Sequence, residues 1–483
     1  MSHEKIKKLK QEWLDKEKEK INDSEDKKYL PKRTYKHFDS NIGELSRKKA
    51  EQICWNKNKV KSHAFYPFLG FTKKTRQRGK MKEGNYKSQK DIIKSRKIRY
   101  AAHKDSLIYS WYSHLLSCSY ENWIQKENLD KHVLAYRTRK TTDTSEDTID
   151  YAKEVFNFIK QQDECSAIIL DVEGFFSNLD HQVLKEIWSN LLDKESKRLP
   201  EDHYNIYKSI TNYSFVKKED LGDAIEKMGS TPNHKICHPP QFRKYIRGGD
   251  LINTHSEDRG IPQGAQISAM LSNAYMFGFD KFMKELVNEK DGMYRRYSDD
   301  IMVVLPTRNK DDIEEIKTEA EDKIKEDLNL NLKDDKEESR FFYRDESGEF
   351  KSHDKDENPK KLTYLGIETN GRNEYITSST INRFYKRVTR AVKKQVFKHF
   401  KKGVQVSRRT LYKKFTQRYQ DYDYTNGITF LDYVYKAARK LNSDKISKQI
   451  NDKKIIEFIK DRIEEKKSKE RKYKHAIKES KNS

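Results

Sequence analysis

The sequence has few of the residues that would build a disulfide framework or a zinc site. Its four cysteines, Cys54, Cys118, Cys165 and Cys237, are far apart, and no two have the spacing of metal ligands. No apolar run reaches the ~18 residues that a membrane-spanning helix needs. The first ten residues are charged and lack the apolar core of a signal peptide. These absences predict a protein of a reducing cytoplasm without a membrane partner.

Basic residues outnumber acidic ones, and the formal net charge is +24 over 483 residues. The lysines and arginines are spread along the chain rather than gathered in one tail. Such a surplus repels itself, and a polyanion offsets the repulsion because phosphate binding releases counterions. A nucleic acid is therefore the expected partner, with a generically basic surface as the alternative that charge alone leaves open.

The chain is longer than one compact domain usually is, so several structural units are expected. We predict a charged helical extension over 1–64, an α+β region over 65–377 and basic α-helices over 378–483. Residues 6–14 carry apolar side chains at helical spacing and are interpreted as part of a solvated helix. Further predicted elements are strands over 167–170 and 362–367, a hairpin over 294–305, and helices over 180–192, 311–328 and 383–460.

Three carboxylates stand at the ends of predicted strands. Asp171 follows one apolar run, and Asp299 and Asp300 precede another on the bend of a predicted hairpin. If the fold brings them together, the crowded like charges are costly unless hard cations are bound. Paired Mg²⁺ ions would then serve an in-line phosphoryl transfer. The alternative for an Asp-Asp pair is a solvated turn.

The motifs around these carboxylates resemble those of reverse transcriptases in order and in separation. Residues 297–300 (YSDD) resemble the YxDD box, and residues 171–176 (DVEGFF) resemble the first catalytic motif. Residues 259–273 resemble the segment between the two motifs. Three further segments, at 133–137, 328–336 and 362–367, resemble the fingers segment, the lysine segment and the primer-grip turn. The resemblance covers roughly residues 65 to 370.

The resemblance implies a right-hand polymerase fold, with fingers and palm built from an antiparallel sheet and helices, followed by an α-helical thumb. The sequences VLAYR and SAMLSN resemble bacterial defence-associated enzymes of the abortive-infection and unknown-group lineage, related to group II intron and retron reverse transcriptases. That lineage implies RNA-directed DNA synthesis in antiphage defence, in the bacterial cytoplasm. The implied partners are a dedicated non-coding template RNA, deoxynucleoside triphosphates and the DNA product. A homo-oligomer is left open.

The resemblance also assigns roles to the acidic residues. Asp171 and Asp299 would ligate two Mg²⁺ ions, with Mn²⁺ as a substitute, and the carbonyl of Val172 would add an oxygen ligand. Asp300 would assist one ion or tune its neighbours. Asp171, Asp299 and Asp300 are thus the predicted catalytic residues.

Four residues are assigned to the incoming nucleotide. Phe176 aligns with the steric gate that excludes a 2′-hydroxyl, and Gln263 would lie near the nucleotide and template. Arg137 is expected to grip the triphosphate, since a guanidinium matches phosphate oxygens in a fork. Lys336 would protonate the leaving pyrophosphate. The alternatives are ordinary packing for Phe176 and a solvated salt-bridge lysine for Lys336.

A further set of residues is predicted to contact the nucleic acid. An aromatic patch at 65–69 runs into a basic segment, and aromatic rings beside cations suit stacking and phosphate contact. A packed anchor followed by a solvated loop is the alternative for this segment. The set consists of Lys73, Lys74, Arg76, Arg78, Tyr297, Leu365 and Gly366.

Two other functions stay open. The first is a template-independent or protein-primed DNA polymerase of the same lineage, for which the many C-terminal tyrosines would offer priming hydroxyls. The second, from a different class, is a catalytically inactive RNA-binding scaffold. The presence of all three carboxylates disfavours the scaffold, because it has no use for a costly cluster of like charges.

Overall fold

The computed structural model describes residues 3–22, 35–43, 45–78, 91–137, 140–141, 144–192, 198–229, 235–333, 338–417 and 429–479. The helices are α1 His3–Asn22, α2 Arg47–Ala50, α3 Lys57–Lys61, α4 His103–Lys126, α5 Thr148–Gln161, α6 Phe175–Asn178, α7 His181–Leu191, α8 Glu201–Thr211, α9 Gly222–Met228, α10 Pro239–Gln241, α11 Ser268–Tyr275, α12 Phe277–Asn288, α13 Lys310–Leu328, α14 Ser378–Lys402, α15 Arg408–Thr416, α16 Phe430–Lys440, α17 Asp444–Gln449 and α18 Asp452–Glu479.

The strands are β1 Phe68–Arg78, β2 Asp91–Tyr100, β3 Lys140–Thr141, β4 Thr144–Ser145, β5 Glu164–Asp171, β6 Ser214–Lys217, β7 Asn253–Thr254, β8 Met293–Tyr297, β9 Asp300–Leu305, β10 Glu338–Arg344, β11 Phe350–His353, β12 Leu362–Tyr364, β13 Ile367–Thr369 and β14 Glu374–Ile376. Short π or 3₁₀ segments are Glu51–Trp55, Lys218–Leu221 and Phe242–Arg247.

A five-stranded sheet with the order β11-β10-β5-β9-β8 lies at the centre, and each neighbouring pair is antiparallel. The middle strands β5 and β9 are continuous apolar runs because both of their faces are buried. Side chains alternate between faces in a strand. Ile168 and Ile301 accordingly belong to one hydrophobic core, whereas Ala167 and Met302 belong to a second core on the other face.

Different helices cover the two faces. The first core receives side chains from α1, α4, α7, α11, α12 and α13, and the second from α5, the β12-β13-β14 sheet and α14 to α18. Strands mixed with packed helices confirm the predicted α+β class. The predicted strand over 362–367 is in fact two strands, because the chain turns at Leu365 and Gly366, both of which have positive φ.

The expectation of a solvated N-terminal helix is wrong. Leu9, Trp13 and Leu14 of α1 are buried in the first core. The indole Nε1 of Trp13 donates a hydrogen bond to Ser110 Oγ of α4 at 3.1 Å. The single apolar face of α1 is therefore an internal packing surface, while its charged face meets solvent. The division of the chain at residue 64 stays a prediction.

A smaller sheet, with the order β2-β1-β6-β7, extends from the first core. Its long antiparallel pair β1–β2 carries most of the basic segment predicted to contact nucleic acid. Within the part of the chain that the structure describes, no helix is both long and apolar enough to cross a membrane.

Candidate active site

The three predicted catalytic residues meet where β5 ends and β9 begins, at one end of the strands of the central sheet. Asp171 ends β5 and Asp300 begins β9, and the two are directly opposed in the ladder. Opposed Cα atoms in an antiparallel pair lie ~4.5–5.5 Å apart. The backbone N–H of Val172 donates to the carbonyl of Asp299 at 3.2 Å. The fold therefore joins carboxylates that are far apart in the sequence.

Asp299 lies on a tight hairpin loop. Tyr297 and Asp300 are paired across β8 and β9, which leaves Ser298 and Asp299 as a two-residue loop. Ser298 adopts a left-handed φ of 62°, as the first loop residue of a tight hairpin often does. Its Oγ lies 3.1 Å from the hydroxyl of Tyr136. The predicted hairpin with its bend at the acidic pair is confirmed.

A lysine that the sequence did not single out contacts the first carboxylate. Lys333 Nζ forms an ion pair with Asp171 Oδ1, and the Lys333 amide donates to the Asp171 carbonyl at 2.9 Å. The lysine side chain is 22% exposed and that of Asp171 4%. Lys336, assigned to this segment by resemblance, lies outside the described residues. The sequence feature that could have pointed to Lys333 is its position in the 328–336 segment, directly after the buried Leu332.

The donor atoms at this edge suit a hard cation, because carboxylate and carbonyl oxygens are the ligands that Mg²⁺ prefers. An ammonium group, that of Lys333, already supplies positive charge to Asp171. Among the residues that the structure describes, no three His, Cys, Asp or Glu side chains are arranged to hold a metal ion. The oxygen atoms present are thus of the type that Mg²⁺ binds. For Asp171 to ligate an ion, the ion would have to take the place of Lys333.

The loop over 259–264 is hydrogen-bonded to the first catalytic motif. The Ile261 amide donates to the Phe176 carbonyl at 2.8 Å, and the Arg99 amide of β2 donates to the Gln263 carbonyl at 2.9 Å. Gly264 has φ 125°, and a Cβ there would lie 2.6 Å from the Arg99 carbonyl oxygen. Only glycine fits this close approach. The loop that carries Gln263 is therefore bonded both to the backbone of Phe176 and to β2.

These features agree with a match to known proteins. A family model described as "Reverse transcriptase (RNA-dependent DNA polymerase)" matches residues 119–369, more than half of the chain, and the span includes Asp171, Asp299 and Asp300. The chain belongs to the reverse transcriptase family. Membership confirms the predicted enzyme class, RNA-directed DNA polymerase, and the polymerase-type fold. No curated protein matches the sequence.

Solved structures similar to this reverse transcriptase include two yeast telomerases and a viral polymerase. Apo telomerase from Candida tropicalis, truncated from the C-terminal domain, is 10% identical with a TM-score of 0.36; the alignment covers 64% of this chain and 55% of that one. Candida albicans telomerase with a TWJ fragment of telomeric RNA is 11% identical with a TM-score of 0.37; the alignment covers 87% of this chain and 65% of that one. The Sicinivirus 3Dpol RNA-dependent RNA polymerase is 12% identical with a TM-score of 0.35; the alignment covers 74% of this chain and 62% of that one. The chain thus spans under two thirds of the length of each.

In this reverse transcriptase, Arg137 is engaged away from the catalytic turn. Its side chain is only 4% exposed and forms an ion pair with Glu121 through two hydrogen bonds of 2.8 and 2.7 Å. The remaining donors bond to Asp130 and to the Val133 carbonyl. A guanidinium with these partners anchors α4 to the following loop. The structure thus gives no support to a triphosphate grip by Arg137.

Exposed cations instead lie on the β1–β2 pair. Lys73 and Arg96 are directly opposed and exposed, so their side chains share one face of the ladder. Ile98, two residues on, shares that face, and its Cγ2 lies 3.6 Å from the position of a Cβ on Gly264. This face therefore adjoins the loop that carries Gln263. Arg96 does not stand out in the sequence, because only the register of β1 and β2 places it beside Lys73.

The other predicted contacts are distributed over three sheets. Lys74 is exposed on the opposite face of β1, and the side chains of Arg76 and Arg78 lie outside the described part of that strand. Burial raises the pKa of Tyr297, and the nearby Tyr136 and Asp300 add to the effect. The turn at 365–366 is tied to the start of α14, because the Thr377 amide donates to the Gly366 carbonyl at 3.2 Å.

Proposed function

We propose that this protein extends a DNA strand along an RNA template, by nucleotidyl transfer at Asp171, Asp299 and Asp300. The observation that carries the proposal is the pairing of Asp171 with Asp300 across β5 and β9, with Asp299 on the adjoining loop, inside the span that matches the family. A scaffold protein gains nothing from opposed carboxylates, whose repulsion must be offset by cations.

Two Mg²⁺ ions, or Mn²⁺ in their place, would be held by Asp171, Asp299 and the Val172 carbonyl, with Asp300 assisting. Such ions activate the attacking oxygen and stabilise the leaving one. Lys333, which pairs with Asp171, would be the residue that gives a proton to the departing pyrophosphate. Lys336, to which this role was assigned by resemblance, is the alternative donor.

The incoming nucleotide would lie near Phe176 and Gln263. The Phe176 ring would close the space beneath the sugar and so favour deoxynucleotides. Lys73 and Arg96 would contact the triphosphate from the β1–β2 face, the role first assigned to Arg137. Phosphate contacts of this kind are charge-assisted and strong.

The template and product would run over α14, the first helix after the palm. This helix has nine lysines and arginines and no acidic residue. Its buried side chains share one face and are Phe384, Val388, Val392 and Val396. The exposed cations are Arg383, Lys386, Arg387, Arg390, Lys393, Lys394, Lys398, Lys401 and Lys402. A one-sided cationic surface is the electrostatic footprint of a phosphate backbone.

The basic surfaces on both sides of the catalytic sheet support a dedicated, structured non-coding RNA as template. Shape and backbone contacts are how proteins commonly bind structured RNA. The motifs at 133–137 and 268–273 resemble those of bacterial antiphage enzymes, and this resemblance supports a defence role in the bacterial cytoplasm. Tyr297 and the turn at 365–366 are proposed to position the primer end.

Primer extension on matched RNA and DNA templates tests the activity. We expect wild-type protein to add the nucleotides complementary to the RNA in Mg²⁺. Addition that ignores the template would instead indicate a template-independent polymerase, and no addition under any condition would favour a scaffold. Labelled protein in place of labelled primer would reveal priming from a tyrosine.

The bound RNA is tested by purifying the protein in high salt and sequencing what remains. Purely electrostatic binding weakens steeply as salt rises, so one dominant RNA that matches the DNA product supports the proposal. A mixture of cellular RNA, or none, contradicts it. Lys393→Glu with Lys394→Glu should release that RNA, whereas Lys7→Glu with Lys8→Glu, an exposed pair on α1, changes the net charge equally and should retain it.

A further inference from the structure

A fully buried ion pair lies behind the catalytic loop. Arg296 of β8 and Asp280 of α12 both have 0% side-chain exposure. The guanidinium donates through Nε to Oδ1 at 2.6 Å and through Nη2 to Oδ2 at 2.7 Å. The hydroxyl of Tyr294 also donates to Oδ1, at 2.7 Å. Burying two charges is costly, and apolar replacements of such pairs are often as stable. The pair therefore calls for an explanation other than stability.

The third nitrogen of Arg296 supplies one. Nη1 donates to the carbonyl of Ser298 at 3.0 Å and to Oδ1 of Asn273 at 3.2 Å. Ser298 is the left-handed residue that immediately precedes Asp299. Because a guanidinium is planar and rigid, fixing one edge of it on Asp280 also fixes where the other edge can hold the loop.

Asn273 connects this arrangement to the nucleotide side of the site. It lies in α11, the helix that follows the Gln263 loop, and its Nδ2 donates to the Ala135 carbonyl at 2.7 Å. The backbone of Arg296 is bonded to the same segment. Its amide donates to the His132 carbonyl at 2.8 Å, and its carbonyl accepts from the Leu134 amide at 2.9 Å. The catalytic loop is thus held from behind by groups of α11, α12 and the 132–135 segment.

We propose that Arg296 is a positioning residue, whose guanidinium, held by Asp280 and Asn273, sets the place of the Ser298 carbonyl and hence of the Asp299 carboxylate. This inference rests on the proposed function. Arg296 touches neither substrate nor reacting atoms in this role. Its loss should let the two-residue loop relax, and misplacement of a reacting group by ~1 Å can cost ~10²-fold in rate.

The test compares Arg296→Lys with Arg295→Lys. The first variant keeps the charge but replaces the planar guanidinium, whose three nitrogens reach Asp280 and Ser298 from fixed positions, by a single ammonium group. The second alters the neighbouring buried arginine, whose Nε donates to Glu154 of α5 at 3.3 Å. For each protein we would measure kcat, the KM for nucleotide, and Mn²⁺ binding without nucleotide by electron paramagnetic resonance.

For Arg296→Lys we expect kcat to fall on the order of 10²-fold, Mn²⁺ to bind more weakly, and the nucleotide KM to change little. Arg295→Lys should resemble the wild type. Equal kcat and Mn²⁺ binding in the two folded variants would overturn the inference, whereas an inactive wild type would instead refute the proposed function.

Should Arg296→Lys fail to fold, Asn273→Ala decides, because it leaves the ion pair with Asp280 intact. The inference predicts that this variant also loses kcat and Mn²⁺ affinity while its nucleotide KM stays near the wild-type value. A folded Asn273→Ala protein with wild-type kcat would contradict it.

Discussion

Replacing Lys333 by methionine tests how the carboxylates proposed to be catalytic are neutralised in the absence of metal. The ammonium group contacts Asp171, whose side chain is 4% exposed and which stands opposite Asp300. Methionine keeps most of the apolar length and removes the charge. Asp171 then lacks the Lys333 counter-ion beside a second carboxylate, so the metal-free variant should be less stable than the wild type.

The magnitude follows from the burial of the two partners. Removing one partner of a fully buried pair costs about 3–5 kcal/mol. Lys333 is 22% exposed, so solvent screens part of the interaction and we expect a smaller loss, ~1–3 kcal/mol in the free energy of unfolding. Mg²⁺ at the same carboxylates would restore the missing charge, and ions that bind only the folded state stabilise it.

Thermal unfolding in a chelator and across a Mg²⁺ titration measures both effects. Mg²⁺ should raise the Tm of Lys333→Met more than that of the wild type, because the Lys333 ammonium no longer competes with the ion. Lys290→Met is the matched control: Lys290 is also 22% exposed and pairs with Asp312 and Glu315, away from the site. Equal Mg²⁺ responses in all three proteins would refute the reasoning.

Further predictions concern the nucleotide. Phe176→Ala should admit ribonucleotides, which a comparison of ribo- and deoxynucleotide incorporation rates would show; an unchanged ratio means that Phe176 is not the gate. Arg96→Ala should raise the nucleotide KM roughly 10-fold or more, the loss expected for a charge-assisted contact worth ~1.5–3 kcal/mol. Arg137→Ala should lower the Tm, because Glu121 loses its partner, and leave the KM near the wild-type value. A raised KM for Arg137→Ala alone would return the triphosphate contact to that residue.

The position of the three proposed catalytic carboxylates was predictable because its signals are local. The apolar run before Asp171 and the one after Asp300 are long enough to specify strands that are buried on both faces. The tight turn at Asp299 lies between β8 and β9, where Ser298 and Asp299 separate the paired residues Tyr297 and Asp300. Antiparallel pairing of the two runs then brings the carboxylates together, and the motif order agrees with the family.

What escaped prediction depends on tertiary packing. Arg96 joins Lys73 only through the register of β1 and β2, which no local pattern in a charged segment specifies. Arg137 looks like a phosphate ligand in sequence, but its acidic partners approach from α4 and an adjoining loop. Trp13 is buried because α4 offers a matching surface, and an amphipathic pattern alone does not tell which surface covers it.

The central claim is that Asp171, Asp299 and Asp300 form one catalytic site for templated DNA synthesis. Its most direct test is primer extension on an RNA template in Mg²⁺ by the wild type and by the Asp299→Ala, Asp300→Ala double variant, with Asp311→Ala, Asp312→Ala as a control acidic pair on α13. We expect incorporation to vanish in the first variant while its fold and Tm are retained, since removing like charges relieves repulsion, and to persist in the control. Extension that survives the loss of Asp299 and Asp300 would contradict the account.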